Sequence, residues 1–311
     1  MDKIGLIGTG IMGLPIANNL LKAGSPLAVY ARRENVKEEL RALGAEIAAS
    51  PGDLASKCRI LYVAVNYAKD VSGLLDSPDG ILSGAKPGLV IVDMTTTDPE
   101  FPKVTSERLA SLDIDYLDAP ISGGALGAQN AQLVIMVGGK EQALERCMPA
   151  FAAISKKVVY MGSSGSGQTA KLIHNQLSYT TFLAVCEAVV LGEKLGLAAD
   201  KLIDVFNNGT ARSFATEVRF PRFILPGNFT MGVPFSTAYK DISLAKALRE
   251  STNVNFPISS WIYRYMKHCM DNGAESEDLS TMCDKVRNIL GRVEAFNGSN
   301  DVDLAAKSSE A

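Results

Sequence analysis

Three short stretches of this 311-residue chain hold residue types from which chemistry can be built. In KLIHNQ (171–176), Lys171 and Asn175 stand four apart, so on a helix they share one face. A lysine there can hand a proton to an alkoxide oxygen or take one from an alcohol, provided burial or a neighbouring cation lowers its pKa. Asn175 can hold the same oxygen by hydrogen bonds without adding charge. Alone, the pair is better read as a solvated lysine and an ordinary helical asparagine, with His174 on an adjoining side. In DAPISGG (118–124), Ser122-Gly123-Gly124 follows an apolar run and a proline. Adjacent glycines let backbone N–H groups converge on an anion, and Ser122 adds a hydroxyl donor. A carboxylate is the natural small guest; a flexible loop is the other reading.

The third stretch is Gly8-Thr9-Gly10-Ile11-Met12-Gly13. The bare pattern is weak, but an apolar run precedes it and a helical pattern follows. Gly8 then permits the tight turn, Gly10 lets a pyrophosphate approach the backbone, and Gly13 lets helix and strand pack closely. The helix N-terminus faces the phosphates with its partial positive charge. Further on, LAVYARRENV (27–36) continues past Tyr30 into Ala31-Arg32-Arg33. NAD sites often place an acidic residue here for the ribose hydroxyls. Ala31 leaves room, and Arg32 and Arg33 can fork onto a 2′-phosphate or lie against adenine. That favours NADP(H), with NAD(H) as the second choice. Two solvated cations near Glu34 and Glu38 are the alternative.

The elements that must position these residues follow from hydrophobic periodicity. Apolar runs at 3–8, 27–31, 59–65, 89–94, 114–121, 131–139 and 156–162 alternate with helical patterns such as 12–24 and 36–44. Runs without alternation fit strands buried on both faces of a parallel sheet. The expected fold is α/β: an N-terminal Rossmann-type doubly wound sheet, then an all-α C-terminal domain, joined by a long interdomain helix. GSSGSGQ (162–168) reads as a hinge, and Thr169 to about Leu195 as one helix of ~40 Å. Further helices are expected at 198–207, 238–252, 255–272 and 276–295, with an extended Pro/Gly-rich loop at 221–236. The domains are drawn as 1–163 for the cofactor, 164–295 for substrate and assembly, and 296–311 as a polar, disordered tail.

Composition narrows the function. Net charge is −3, with 47% hydrophobic and 21% charged residues, so nothing marks a nucleic-acid binder. No apolar run reaches ~18 residues, so no membrane span is expected. The opening MDKIGLIGTG lacks the basic and apolar regions of a signal peptide and reads as a strand. Five scattered cysteines without a C-x-x-C pair read as free thiols in a reducing cytoplasm, and two distant histidines supply no metal site.

Gly-x-Gly-x-Met-Gly with NLLKAG, then DAPISGG, GSGQTAKLIHNQ and KDISLA, together resemble the β-hydroxyacid dehydrogenase family. That family includes 3-hydroxyisobutyrate dehydrogenases and tartronate semialdehyde reductases, and the resemblance runs from about residue 3 to 290. It implies hydride transfer between C3 of a 3-hydroxyacid and the nicotinamide C4. Lys171 matches the family's catalytic lysine, Asn175 its substrate-orienting asparagine, and Ser122, Gly123 and Gly124 its carboxylate loop. Thr96 matches the residue at the nicotinamide ribose, and Lys240 the lysine of a Lys-Asp pair near the cofactor. Ile11 and Met12 complete the glycine turn, while Val65 and Asn66 border the cofactor cleft. A small carboxylic-acid substrate and a homodimer or homotetramer are implied as partners.

The chain also departs from the family pattern. Asn130 stands where a glycine is common, and asparagine tolerates a left-handed backbone. Asn66-Tyr67 replaces Leu-Pro, and Val233 falls where a phenylalanine is frequent. NNGTARSFATE (207–217) resembles a helix-loop of members acting on bulkier 3-hydroxyacids, so Arg212 either faces the cleft or is solvated. Three other readings are weighed. Imine reductases share the fold but usually lack the lysine. The motif also resembles Lys-x-x-His-Asn of the decarboxylating 6-phosphogluconate dehydrogenases, where the histidine is part of the site, but their chain is much longer at the C-terminus. A non-catalytic cofactor sensor would not need the catalytic set.

Overall fold

The apolar runs become strands buried from both sides. Ile4, Leu6, Ile60, Tyr62, Val90 and Val92 pack on one face with Ile16 and Leu20. Their neighbours Ile7, Leu61, Val63 and Ile91 pack on the other with Leu54, Val71 and Leu109. Alternation is therefore present in the structure but invisible in hydropathy, because both faces are apolar. The computed structural model describes residues 2–289; the tail expected at 296–311, and the end of the helix expected over 276–295, lie outside the described residues.

The strands are β1 (Ile4–Ile7), β2 (Leu27–Tyr30), β3 (Glu46–Ile47), β4 (Ile60–Val63), β5 (Val90–Asp93), β6 (Asp115–Asp118), β7 (Ile121–Ser122), β8 (Leu133–Gly138) and β9 (Ser155–Gly162). They form one sheet in the order β3-β2-β1-β4-β5-β6-β8-β7, with β9 also on β8. Strands β1 to β6 are paired in parallel, whereas β8 is antiparallel to β6 and β7. Between them run α1 (Gly13–Lys22), α2 (Glu34–Ala42), α3 (Pro51–Lys57), α4 (Ala68–Asp76), α5 (Ile81–Gly84), α6 (Glu100–Ala110), α7 (Gly124–Gln129) and α8 (Glu141–Ile154). This is the Rossmann-type doubly wound sheet that the alternation implies.

The long helix is real: α9 covers Ser166–Lys194, 29 residues. After it come α10 (Ala199–Asn208), α11 (Phe235–Glu250), α12 (Pro257–Asp271) and α13 (Met282–Ile289). Among the described residues, compactness gathers the chain up to Tyr179 with Gly232–Ser276 in one unit, and Thr180–Met231 with the residues following Ser276 in a second. Within the second, Phe182 and Phe220 meet edge to face at 6.3 Å, and the Arg219 guanidinium lies 4.6 Å from the Phe182 ring centre.

Two local expectations change. Of the loop expected at 221–236, Pro221–Ile224 instead lie in a π-helical segment, Ala215–Ile224. Its wide turn is closed by the Leu225 N–H on the Phe220 carbonyl at 2.9 Å. Burial of Phe220 and Ile224 supports a turn that proline content alone argues against. At the end of α7, Asn130 has φ −94°, and the left-handed residue is Ala131 at φ 53°. The Gln132 N–H closes on the Gly127 carbonyl at 2.8 Å, a helix-ending bond that turns the residue after the cap left-handed. An alanine Cβ is strained there, so Ala131→Gly should stabilise the fold by up to about 1 kcal/mol. Urea denaturation checks this; a lower midpoint in the variant contradicts it.

Candidate active site

Strands β1 and β4 are neighbours, but the chain winds away from them in opposite directions. Such a switch point leaves a crevice beyond the strand ends. The glycine turn sits there, and its three glycines answer different demands. Gly8 has φ 96°, and a Cβ on it would lie 2.1 Å from the Ala64 carbonyl oxygen. A Cβ on Gly13 would lie 1.8 Å from the Gly8 carbonyl oxygen, so α1 could not pack as it does. Gly10 is exposed, and a Cβ on it would meet nothing within 4 Å. The backbone at Gly10 is therefore open to a ligand, just before a helix N-terminus that has no side-chain cap and no acidic first turn. Those features fit a dinucleotide pyrophosphate. Ile11 is exposed and Met12 half-buried in the same turn. Gly232, beside the half-buried Val233, comes within 3.9 Å of Ile11 through its built Cβ.

The two arginines beyond β2 part company. Arg32 lines a cavity of about 410 Å³ together with Ala31, Glu34, Lys37 and Arg41. Arg33 turns the other way, and its guanidinium donates to the Thr9 carbonyl oxygen at 2.8 Å. One cation thus faces the cavity while the other braces the glycine turn. Lys37 donates to Glu34 at 2.9 Å at the cavity's edge.

Lys171 is 8% exposed on α9, and its Nζ donates to the Ile121 carbonyl oxygen at 2.6 Å. Burial draws its pKa down to about 8; Asp241 opposes that shift and Lys240 adds to it. Asn175, one turn on, donates from Nδ2 to Asp241 Oδ2 at 2.8 Å. Asp241 is buried and its pKa is raised by that burial, against the pull of Lys240, Lys171 and Asn175. Lys240 Nζ lies 3.3 Å from Asp241 Oδ1 and donates to the carbonyl oxygens of Asn66 and Thr96, both at 2.9 Å. Lys240 thus ties together the loops that follow β4 and β5. Val65 joins them through its N–H, 3.4 Å from Thr95 Oγ1. Ser122 ends β7, with Gly123 at φ 128° and Gly124 at φ 61° beside it. Its Oγ lies 2.8 Å from His174 Nε2.

A family model described as the NAD binding domain of 6-phosphogluconate dehydrogenase matches residues 3–162. One described as the NAD-binding of NADP-dependent 3-hydroxyisobutyrate dehydrogenase matches residues 165–286. The 2-(hydroxymethyl)glutarate dehydrogenase of Eubacterium barkeri is 32% identical over 280 residues, 90% of this chain and 93% of that protein. The chain belongs to the β-hydroxyacid dehydrogenase family. Its members are NAD(P)-dependent oxidoreductases. The 2-hydroxy-3-oxopropionate reductase of Escherichia coli K12 is also 32% identical, over 90% of this chain and 95% of that protein. A solved structure of Mycobacterium tuberculosis 3-hydroxyisobutyrate dehydrogenase with L-serine superposes with a TM-score of 0.81 at 27% identity, covering 92% of this chain and 99% of that one.

Within this β-hydroxyacid dehydrogenase, three positioning residues escaped sequence reasoning. Gln168 is fully buried one turn before Lys171. Its Oε1 accepts from the Thr97 N–H at 3.1 Å and its Nε2 donates to the Thr95 carbonyl oxygen at 2.7 Å, so it grips both sides of Thr96. Asp118 accepts from the Gly165 and Gln168 N–H groups at 2.8 and 3.0 Å and so pins the start of α9 to the end of β6. Asp241 was read only as the companion of Lys240. The one signal for each was its place inside a quoted motif. Arg212 is exposed and lies 3.5 Å from Glu217. Among the described residues, no helix is long and apolar enough to cross a membrane, and no cluster of three or more His, Cys, Asp or Glu could hold a metal.

Proposed function

We propose that this protein interconverts a 3-hydroxyacid and its semialdehyde or keto acid, with NADP(H) preferred and Lys171 moving the proton. The observation that carries this reading is a buried lysine with a pKa drawn down to about 8, set against Ile121 beside the Ser122 loop. A bound nicotinamide cofactor supplies the hydride in reduction and accepts it in oxidation. Lys171, protonated at neutral pH, gives its Nζ proton to the carbonyl oxygen during reduction and takes one from the alcohol during oxidation. Asn175 commits one amide hydrogen to Asp241 and keeps the other for the substrate oxygen. Ser122, Gly123 and Gly124 take the carboxylate, and Arg32, with Lys37 and Arg41 nearby, takes the 2′-phosphate. Thr96 and Lys240 border the nicotinamide ribose.

In this reading residues 1–163 serve the cofactor, and 164–295 serve substrate and assembly into a homodimer or homotetramer, in the cytoplasm. Arg212 remains a candidate only for larger substrates. The test is turnover of 3-hydroxyisobutyrate, L-serine, 2-(hydroxymethyl)glutarate and 2-hydroxy-3-oxopropionate with each cofactor. Absence of any acid-dependent change in NADPH or NADP absorbance across that panel would reject the assignment.

The proton role has a pH signature. Oxidation needs the neutral amine, so its kcat/KM should rise with pH and level off above about 8. Reduction needs the ammonium and should fall as pH passes the same value. Parallel profiles in both directions would remove Lys171 from the proton path.

A further inference from the structure

We propose that His174 is a positioning residue that turns the Ser122 hydroxyl toward the substrate's carboxylate. The inference rests on the reading of Ser122–Gly124 as the carboxylate loop. His174 stands on α9 between Lys171 and Asn175, and its Nε2 lies 2.8 Å from Ser122 Oγ. The two residues are 52 positions apart in the chain, so the contact is made by the fold and not by local sequence.

A hydroxyl has one hydrogen and two lone pairs, and a neutral imidazole nitrogen either donates or accepts. If Nε2 accepts, the Ser122 hydrogen is spent on the ring. Oγ then offers the loop only lone pairs, which repel a carboxylate. If Nε2–H donates, it fills one lone pair and leaves the hydroxyl hydrogen free for the anion. A carboxylate in the loop therefore selects the form with hydrogen on Nε2. Ser122 is only half-buried, so without His174 its hydroxyl would rotate among water partners and lose that freedom on binding. Holding it beforehand lowers the ordering cost of binding. Gly123 and Gly124 follow with φ values of 128° and 61° that L side chains rarely adopt, so the loop backbone beside Ser122 depends on glycine. His174 completes the arrangement by fixing the one rotatable donor.

The test uses the full chain and four variants: His174→Leu, His174→Gln, Ser122→Ala and the double His174→Leu/Ser122→Ala. The probe is whichever of 3-hydroxyisobutyrate, L-serine, 2-(hydroxymethyl)glutarate and 2-hydroxy-3-oxopropionate the unaltered protein turns over with the highest kcat/KM. His174→Leu should raise the KM of that acid about 5- to 20-fold, with kcat and the KM for NADP(H) moving less than about threefold. His174→Gln, whose side-chain amide can donate from a similar reach, should recover most of the loss. In the Ser122→Ala background, His174→Leu should add less than about twofold, because the two residues act as one unit. Fold-changes that simply multiply in the double variant overturn the inference, as does a glutamine variant as poor as the leucine one. If Ser122→Ala alone leaves KM unchanged, the carboxylate-loop reading falls and this inference with it. If Ser122→Ala raises KM but His174→Leu acts independently, only the inference falls.

Discussion

Lys171→Ala is expected to lower turnover by about 10²–10⁴-fold while leaving the affinity for NADP(H) within about threefold. The separation follows from where the side chain reaches. Its Nζ bonds the Ile121 carbonyl and feels Asp241 and Lys240, whereas the glycine turn is braced by Arg33. Alanine removes the proton carrier and leaves Lys240 beside Asp241 at 3.3 Å, so that carboxylate keeps a cation. Cofactor fluorescence titration and steady-state rates on one preparation separate the two quantities. Full turnover in the variant would end the assignment, and a parallel loss of cofactor affinity would point to a collapsed site.

Arg32→Ser should raise the KM for NADPH roughly 10- to 150-fold and change that for NADH little, the range for losing one charge-assisted bond. Arg33→Ser should behave differently. Its guanidinium holds the Thr9 carbonyl inside the glycine turn, so its loss should weaken both cofactors alike. A double change would mix the two effects, so the single variants are the informative ones. Equal responses to Arg32→Ser in NADPH and NADH would assign the cavity at Ala31 to something other than a 2′-phosphate. If the proposed NADP preference holds, the contrast between neighbours also bears on design, since of the two arginines only Arg32 lines the cavity, with Lys37 and Arg41.

What could be read from the chain beforehand was what is local in it. The glycine turn lies between a strand and a helix that follow within a few residues, and the long helix announces itself over 29 residues of one pattern. The doubly wound sheet follows from apolar runs that carry their own length and spacing. Partnerships were illegible. Nothing in the sequence pairs Lys240 with the carbonyls of Asn66 and Thr96, which the fold brings to it from 174 and 144 residues away. Gln168 looks like one more polar residue beside a hinge until the Thr95–Thr97 turn closes over its amide. The π-helical segment was hidden for a related reason: Pro221 argues locally against a helix, and only burial of Phe220 and Ile224 decides otherwise. The left-handed Ala131 was one residue from the position sequence reasoning examined, because a helix end is set by its closing bond and not by residue preference alone.

The return of the chain from Met231 to Gly232 gives the site a history. A ribosome that has released the first 231 residues has delivered every strand, Lys171 and the Ser122 loop. It has not yet delivered the cation that fastens residues 66 and 96, nor the carboxylate that holds Asn175. In a nascent chain of that length the loops after β4 and β5 lack the lysine that joins them. In the proposed reading, competence should therefore arrive late in synthesis, with the emergence of α11, and a stop codon placed between 231 and 240 would yield an inactive fragment that lacks Lys240 and Asp241.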